Sequence, residues 1–204
     1  MSNLDAIRIL FDIKVFFSMY INKESAIILQ TNSYVSRILI TIGVMCMIPE
    51  VTIKDFKIRI AEPTDVGLIL KFIKELADYE RMLEDVVATE ELLTEFIFQQ
   101  KKAEVIIGEY QQKPVCFALF FHNFSTFLGR PGIYLEDLYV KPEMRGKGFG
   151  KALLAYLSTL ATERGCGRVE WSCLDWNEPS IQFYKQLGAK PMDEWTVYRL
   201  QRDL

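Results

Sequence analysis

Apolar and charged residues alternate cleanly from Phe56-Lys57-Ile58-Arg59-Ile60, which predicts a half-buried strand. Glu62-Pro63-Thr64-Asp65 marks a turn and a helix start, with Thr64 or Asp65 available to cap the first amides. Ile69, Phe72, Ile73 and Leu76 then recur at helical spacing up to Tyr79. A second helix, starting at Thr89, is expected to bury Leu92, Leu93 and Phe96. The apolar runs Val105-Ile106-Ile107 and Val115 to Phe121 flank Gln111-Gln112-Lys113 and predict a hairpin. Ile133 to Val140 reads as a further strand closed by Lys141-Pro142. A helix from about Gly148 to Arg164 ends at Gly165 and Gly167. Val169 to Leu174 reads as a strand. Pro179 to Leu187 reads as a helix begun by Asn177-Glu178-Pro179, and Trp195 to Leu200 alternates like a last strand. A mixed order of elements, β, α, α, β, β, β, α, β, α, β, around one long central strand predicts a single α/β (α+β) layer fold over residues 56 to 204.

Residues 1 to 55 read differently. They are rich in Ile, Phe, Ser and Asn, with Asn22, Asn32-Ser33 and Gly43 breaking the periodicity. This N-terminal extension carries no chemical motif. It fits a short helical extension, a product of an upstream start codon, or a membrane-surface segment built on Phe11, Phe16, Phe17 and Lys14. Its most apolar run, Ile38 to Ile48, is shorter than the roughly 20 residues a helix needs to span a bilayer. Asp5 and Asp12 interrupt the early apolar residues, so no secretory signal is expected and a cytoplasmic location is.

Charge narrows the function. Across 204 residues the formal net charge is -3, which provides no field to gather nucleic acid and mildly favours cationic ligands. The four cysteines, Cys46, Cys116, Cys166 and Cys173, form no Cys-x-x-Cys pair, and His122 is the single histidine. No metal site is expected from such a set. Free thiols are, with Cys166 and Cys173 as small core residues and His122 in a structural role.

One motif carries chemistry. Arg145-Gly146-Lys147-Gly148-Phe149-Gly150 lies between a strand end and a helix start, followed by Lys151. Alternate glycines permit a tight turn and a close approach to a ligand. Their amides converge at a helix N-terminus, where anions are favoured, and Arg145, Lys147 and Lys151 add charge. This suits a diphosphate. A Walker-type phosphate loop is excluded because Ala152 stands where a Ser or Thr would hold magnesium. A dinucleotide fingerprint is excluded because Lys151 occupies its third glycine position.

Arg-x-x-Gly-x-Gly is the pyrophosphate loop of the GNAT acetyltransferases. Three further segments extend the likeness: Ile73-Lys74-Glu75-Leu76-Ala77-Asp78-Tyr79-Glu80, Tyr134-Leu135-Glu136-Asp137-Leu138-Tyr139-Val140, and Trp176-Asn177-Glu178-Pro179-Ser180-Ile181-Gln182-Phe183-Tyr184-Lys185. From about Phe56 to Leu200 the chain resembles the spermidine/spermine (diamine) and thialysine N-acetyltransferase branch of that superfamily. The resemblance implies the GNAT fold, a mixed and mostly antiparallel sheet flanked by helices, with acetyl-CoA as co-substrate and no metal. It implies that Leu138, Tyr139 and Val140 meet acetyl-CoA through the backbone, that Arg145, Gly146, Lys147, Gly148, Phe149, Gly150 and Lys151 cradle its pyrophosphate, and that Asn177 and Ser180 lie near the pantetheine. Tyr184 matches the general acid. Tyr79, Glu80, Glu136 and Asp193 or Glu194 match substrate-side positions. Trp195 is either a cation–π wall for the amine or a core residue. The resemblance also implies a homodimer. Where the polyamine enzymes carry an acid before a tryptophan, this chain has Ser125-Thr126-Phe127, which the thialysine enzymes tolerate.

These residues suit acetyl transfer to an amine. An alkyl ammonium near pKa 10.4 must lose a proton before it attacks. Glu136 is the expected acceptor, directly or through water. Amides near Leu138 would hold the developing oxyanion. Tyr184, a phenol near pKa 10, would protonate the leaving thiolate. Regular alternation puts Glu136 and Asp137 on opposite faces unless a bulge intervenes. The expected function is therefore an N-acetyltransferase acting on a polyamine, a diamine or a lysine-like amino acid, by direct attack in a ternary complex. The alternatives are a non-catalytic acyl-CoA-binding regulatory module and a protein N-acetyltransferase.

Overall fold

Strand β1, Phe56–Ile60, pairs antiparallel with β2, Glu104–Tyr110, in the computed structural model, which describes residues 48–49 and 51–200. The readings made for residues 1 to 47, with Cys46 and the Phe11–Phe17 cluster, lie outside the described residues. Strands β3, Lys113–Ser125, and β4, Arg130–Val140, continue the antiparallel sheet. The short β5, Val169–Trp171, adds parallel to β4, and the strand order is sequential. The sheet is thus mixed and mostly antiparallel.

The β2–β3 turn has Gln111 and Gln112 both at positive φ, 50° and 64°. This is the left-handed pair that matches the twist of a two-residue hairpin.

Helix α1, Val66–Tyr79, follows a tight turn over Pro63–Asp65. Neither expected cap bonds the first amides of α1; Asp65 instead closes the preceding turn. Its carboxylate accepts the Glu62 N–H at 2.8 Å and pairs with the Arg59 guanidinium at 2.6 Å. The Arg59 hydrogen bond holds the Asp65 carboxyl below the usual carboxylate range.

Helix α2, Glu90–Leu93, starts at Thr89, whose hydroxyl accepts the Leu92 N–H at 3.3 Å. Thr89→Ala should cost about 1 kcal/mol, read as a lower urea midpoint at unchanged slope. The chain then widens into a π-helical stretch, Thr94–Gln99. The extra residue per turn rotates the apolar face. Ile97 is buried and Leu93 packs inward, whereas Leu92 and Phe96, expected inside, are each 43% exposed.

Helix α3, Phe149–Glu163, crosses from β4 to β5, and α4, Glu178–Gln186, starts from Asn177. Two apolar clusters fill the two faces of the sheet. On one face, Leu153, Leu154 and Leu157 of α3 pack on Ile106, Ala118, Ile133 and Leu135. On the other, Ile69 and Phe72 of α1 pack on Ile107, Phe117 and Tyr139. Phe72 and Phe117 stack at 5.4 Å.

The expected strand at Trp195 to Leu200 is absent: that stretch takes no regular structure, with Trp195 69% and Leu200 104% exposed. Alternation supplies a strand pattern, but a strand exists only where a neighbour satisfies its amides and carbonyls. Among the described residues nothing pairs with this segment. The predicted strand from Val169 likewise stops at Trp171 instead of Leu174.

Candidate active site

The end of β5 creates the site. β4 pairs with β5 only through Ile133, Tyr134 and Leu135. Beyond them the two chains splay, and a cleft of about 530 Å³ opens between Leu138, Tyr139 and Val140 on one side and Ser172, Cys173 and Leu174 on the other. Along this stretch the β4 backbone has no β5 partner, so its amides are placed to meet a ligand carbonyl.

The glycine loop closes one end of the cleft. Gly146 and Gly148 are left-handed, φ 75° and 89°. Gly148 is the first cap of α3 and no side chain bonds the exposed amides there. Among the described residues no atom lies within 4 Å of where a Gly146 side chain would sit, and Gly148 has only the Ile53 Cδ1 at 3.5 Å. Open space, uncapped amides and a helix N-terminus fit a pyrophosphate. Arg145 and Lys151 line the same end. The Arg145 Nε donates to the Val140 carbonyl at 3.1 Å, and its guanidinium sits 4.4 Å over the Tyr79 ring. Phe149 touches the cleft but is anchored in the core, 4.6 Å from the Phe56 ring.

A clasp joins α1 to α4. The Tyr79 hydroxyl donates to Asn177 Oδ1 at 3.1 Å, and the same oxygen accepts the Ser180 N–H at 3.4 Å. Asn177 is 6% exposed, so its carboxamide is committed to holding these elements together. Tyr79, Asn177 and Ser180 all line the cleft.

The middle of the cleft is acidic. β3 and β4 slip register between Leu119 and Phe120: Leu119 faces Asp137 and Phe120 faces Leu135, which leaves Glu136 as an extra residue. This is a bulge. Leu135 and Leu138, three apart, both pack toward α3, so Glu136 and Asp137 fall together on the opposite face, not on opposite faces as in a regular strand. Glu136 is exposed and lines the cleft beside Glu80. Asp137 is partly covered. Burial, then the charges of Glu136 and Glu80, push its carboxyl up to about 7. Burial likewise raises Glu80. Sequence reasoning did not single out Asp137, because the bulge that swings it to this face follows from the pairing with β3.

Tyr184 reaches the cleft from α4, packed 4.9 Å from the Trp171 ring. Burial first, then Cys173, Glu80 and Tyr79, pushes its phenol well above the value of 10 expected from sequence. Cys173 lines the cleft and is not a core residue, whereas Cys116 and Cys166 are buried. Burial raises all three thiols, Cys116 to about 12, which leaves them poor nucleophiles. His122 is on the surface, its Nδ1 4.0 Å from Glu104.

Four expected site residues are not brought to the cleft. Lys147 does not line the cleft, its ammonium lying 3.4 Å from the sulfur of Met144, which does. Asp193, Glu194 and Trp195 sit exposed on the irregular C-terminal stretch, since the strand that would have aimed them does not form. Trp195 is neither a wall of the site nor core. Among the described residues there is no cluster of metal-ligating side chains, and no helix is long and apolar enough to cross a membrane.

The chain is similar to known proteins in sequence and in fold. Residues 71–189 match the model of the acetyltransferase (GNAT) family. A thialysine N-epsilon-acetyltransferase of Bos taurus is 35% identical over 156 residues, spanning 71% of this chain and 91% of that one. An L-ornithine N5-acetyltransferase of Arabidopsis thaliana is 32% identical over 193 residues, spanning 72% and 85%. Among solved structures, an integron cassette protein from the mobile metagenome of V. cholerae superposes with a TM-score of 0.62 at 26% identity, over 73% of this chain and 94% of that chain. The glycine loop and most of the splayed β4–β5 cleft lie inside the matched span, and with them the chain belongs to the GNAT family of acetyltransferases.

Proposed function

We propose that the cleft binds acetyl-CoA with its pyrophosphate on the Gly146 to Lys151 loop and passes the acetyl group to a primary amine of a small cationic acceptor. The observation that carries this reading is that Glu80 and Glu136 line the cleft together, with Asp137 next to Glu136 on the same face and no cation acting on it. A site that gathers carboxylates without a resident partner is complementary to an ammonium ion. The raised thiols argue for direct attack by the amine and against an acetyl-cysteine intermediate.

Among acceptors, a lysine-like amino acid ranks above a polyamine. Thialysine and ornithine appear in the names of the relatives, and Ser125-Thr126-Phe127 lacks the carboxylate a long polycation would use. CoA thiol release from acetyl-CoA, measured against thialysine, L-ornithine, lysine, putrescine, spermidine, spermine and a histone-like peptide, tests this. Fastest turnover is expected with thialysine or L-ornithine. Fastest turnover with the peptide would make the protein a protein acetyltransferase. Tight acetyl-CoA binding with no turnover would leave a regulatory acyl-CoA-binding module.

A homodimer in the cytoplasm completes the proposal. A dimer mass by light scattering is expected, and a monomer at every concentration would remove that part.

A further inference from the structure

Glu136 on the cleft wall and Asp137 beside it differ in a way the proton balance of acetyl transfer can use. Glu136 is the residue pushed out by the β4 bulge, exposed on the cleft wall. Asp137 follows on the same face, partly covered and paired across the sheet with the apolar Leu119. The charged groups that act on it are Glu136 and Glu80, the latter at the C-terminal end of α1, and Tyr79, Arg145, Cys173 and Tyr184 line the adjoining cleft. Arg145, the one cation of that set, is engaged with the Val140 carbonyl and the Tyr79 ring. The charges that act on Asp137 are those of Glu136 and Glu80, both negative.

We propose that Asp137 is a positioning residue for proton transfer: it receives, through Glu136, the proton that the acceptor ammonium sheds before attack. The inference rests on the acetyltransfer reading above. One N–H bond of the ammonium breaks toward a Glu136 oxygen, and the proton passes to the Asp137 carboxylate. Adjacent carboxylates on one face share a proton as a pair. The neutral amine then forms the C–N bond at the thioester carbonyl carbon, and the C–S bond breaks. The second nitrogen proton leaves through Tyr184 to the thiolate. Asp137 later yields its proton to water, which accounts for the one proton the reaction releases. A second carboxylate on the same face that holds a proton near neutral pH draws the transfer forward.

The test is the pH profile of kcat/KM for CoA release with thialysine and L-ornithine, for the unsubstituted enzyme, Asp137→Asn, Asp137→Glu and Glu136→Gln. The unsubstituted enzyme should gain rate with rising pH through about 7, because the acceptor carboxylate must be ionised to work. D137N should lower kcat about tenfold, leave acetyl-CoA affinity within about twofold and lose that limb. D137E should restore the limb. Thermal melting is a second readout. A carboxyl raised in the folded state gives up its stabilising proton as pH climbs, so D137N should melt above the unsubstituted protein at pH 8, with the gap closing toward pH 4. D137N with an unchanged limb and unchanged kcat would overturn the proposal, as would a limb abolished only by E136Q. No turnover by the unsubstituted enzyme with any amine would instead overturn the functional reading itself.

Discussion

Tyr184→Phe is expected to lower kcat by about 10²- to 10³-fold while acetyl-CoA affinity stays within about twofold. The substitution removes one oxygen and keeps the ring that packs on Trp171 and Phe183 at 4.9 and 5.3 Å. Fold and cleft shape should therefore survive. What is lost is the hydroxyl that, in the proposed mechanism, gives its proton to the leaving sulfur. Burial, with Cys173, Glu80 and Tyr79 nearby, keeps this phenol protonated well into the alkaline range. A phenol raised that far is a weaker acid than an ordinary thiol near 8.5, so it delivers a proton only as it regains one from the amide nitrogen. Two consequences are measurable by stopped assays across pH. The unsubstituted enzyme should show no alkaline fall in kcat up to about pH 10, because the donor remains loaded. The Phe variant should lose rate at every pH. Equal kcat in the two proteins would remove Tyr184 from the mechanism and leave the thiolate to depart unaided.

Gly148→Val should weaken acetyl-CoA binding by about 10- to 100-fold, equal to about 1.4–2.8 kcal/mol. Gly148 sits at φ 89° as the cap of α3, a conformation that costs an L-residue about 1–2 kcal/mol and a β-branched one more. The loop can relieve that strain only by rotating the amides that converge at the helix start. Gly150→Ala is the informative companion. Gly150 is not left-handed, and an added methyl there meets Phe183 Cζ at 3.5 Å and Val140 Cγ2 at 3.7 Å, ordinary contact distances. That variant should melt normally, so any loss of affinity reports the ligand's close approach to the loop. Titration calorimetry with acetyl-CoA decides both. Binding like the unsubstituted protein in both variants would mean that the pyrophosphate lies elsewhere.

The chain's own pattern determined most of the architecture. The alternation from Phe56, the apolar runs from Val105 and Val115, the strand reading from Ile133, the helical repeat from Ile69 to Leu76, and the glycine and Asn-x-Pro signals around α3 and α4 all rest on local physics, so they are legible without neighbours. The glycine loop was equally legible, because left-handed backbone at a helix start requires glycine whatever surrounds it.

Long-range pairing decided the rest. Trp195 to Leu200 has the alternation of a strand but no partner, and Asp193, Glu194 and Trp195 consequently miss the cleft. The π turn after Leu93 exchanged Phe96 for Ile97 in the core, a one-residue shift that helical periodicity cannot express. The bulge at Glu136 had the largest consequence for the chemistry. Register against β3, not the residues of β4, placed Asp137 beside Glu136 and Glu80. Spread over two faces, the same carboxylates would not act on Asp137. Gathered on one face of a cleft, they raise the proton affinity of Asp137 and favour a cationic guest, because charge repulsion and lost hydration arise only where the fold brings the groups together.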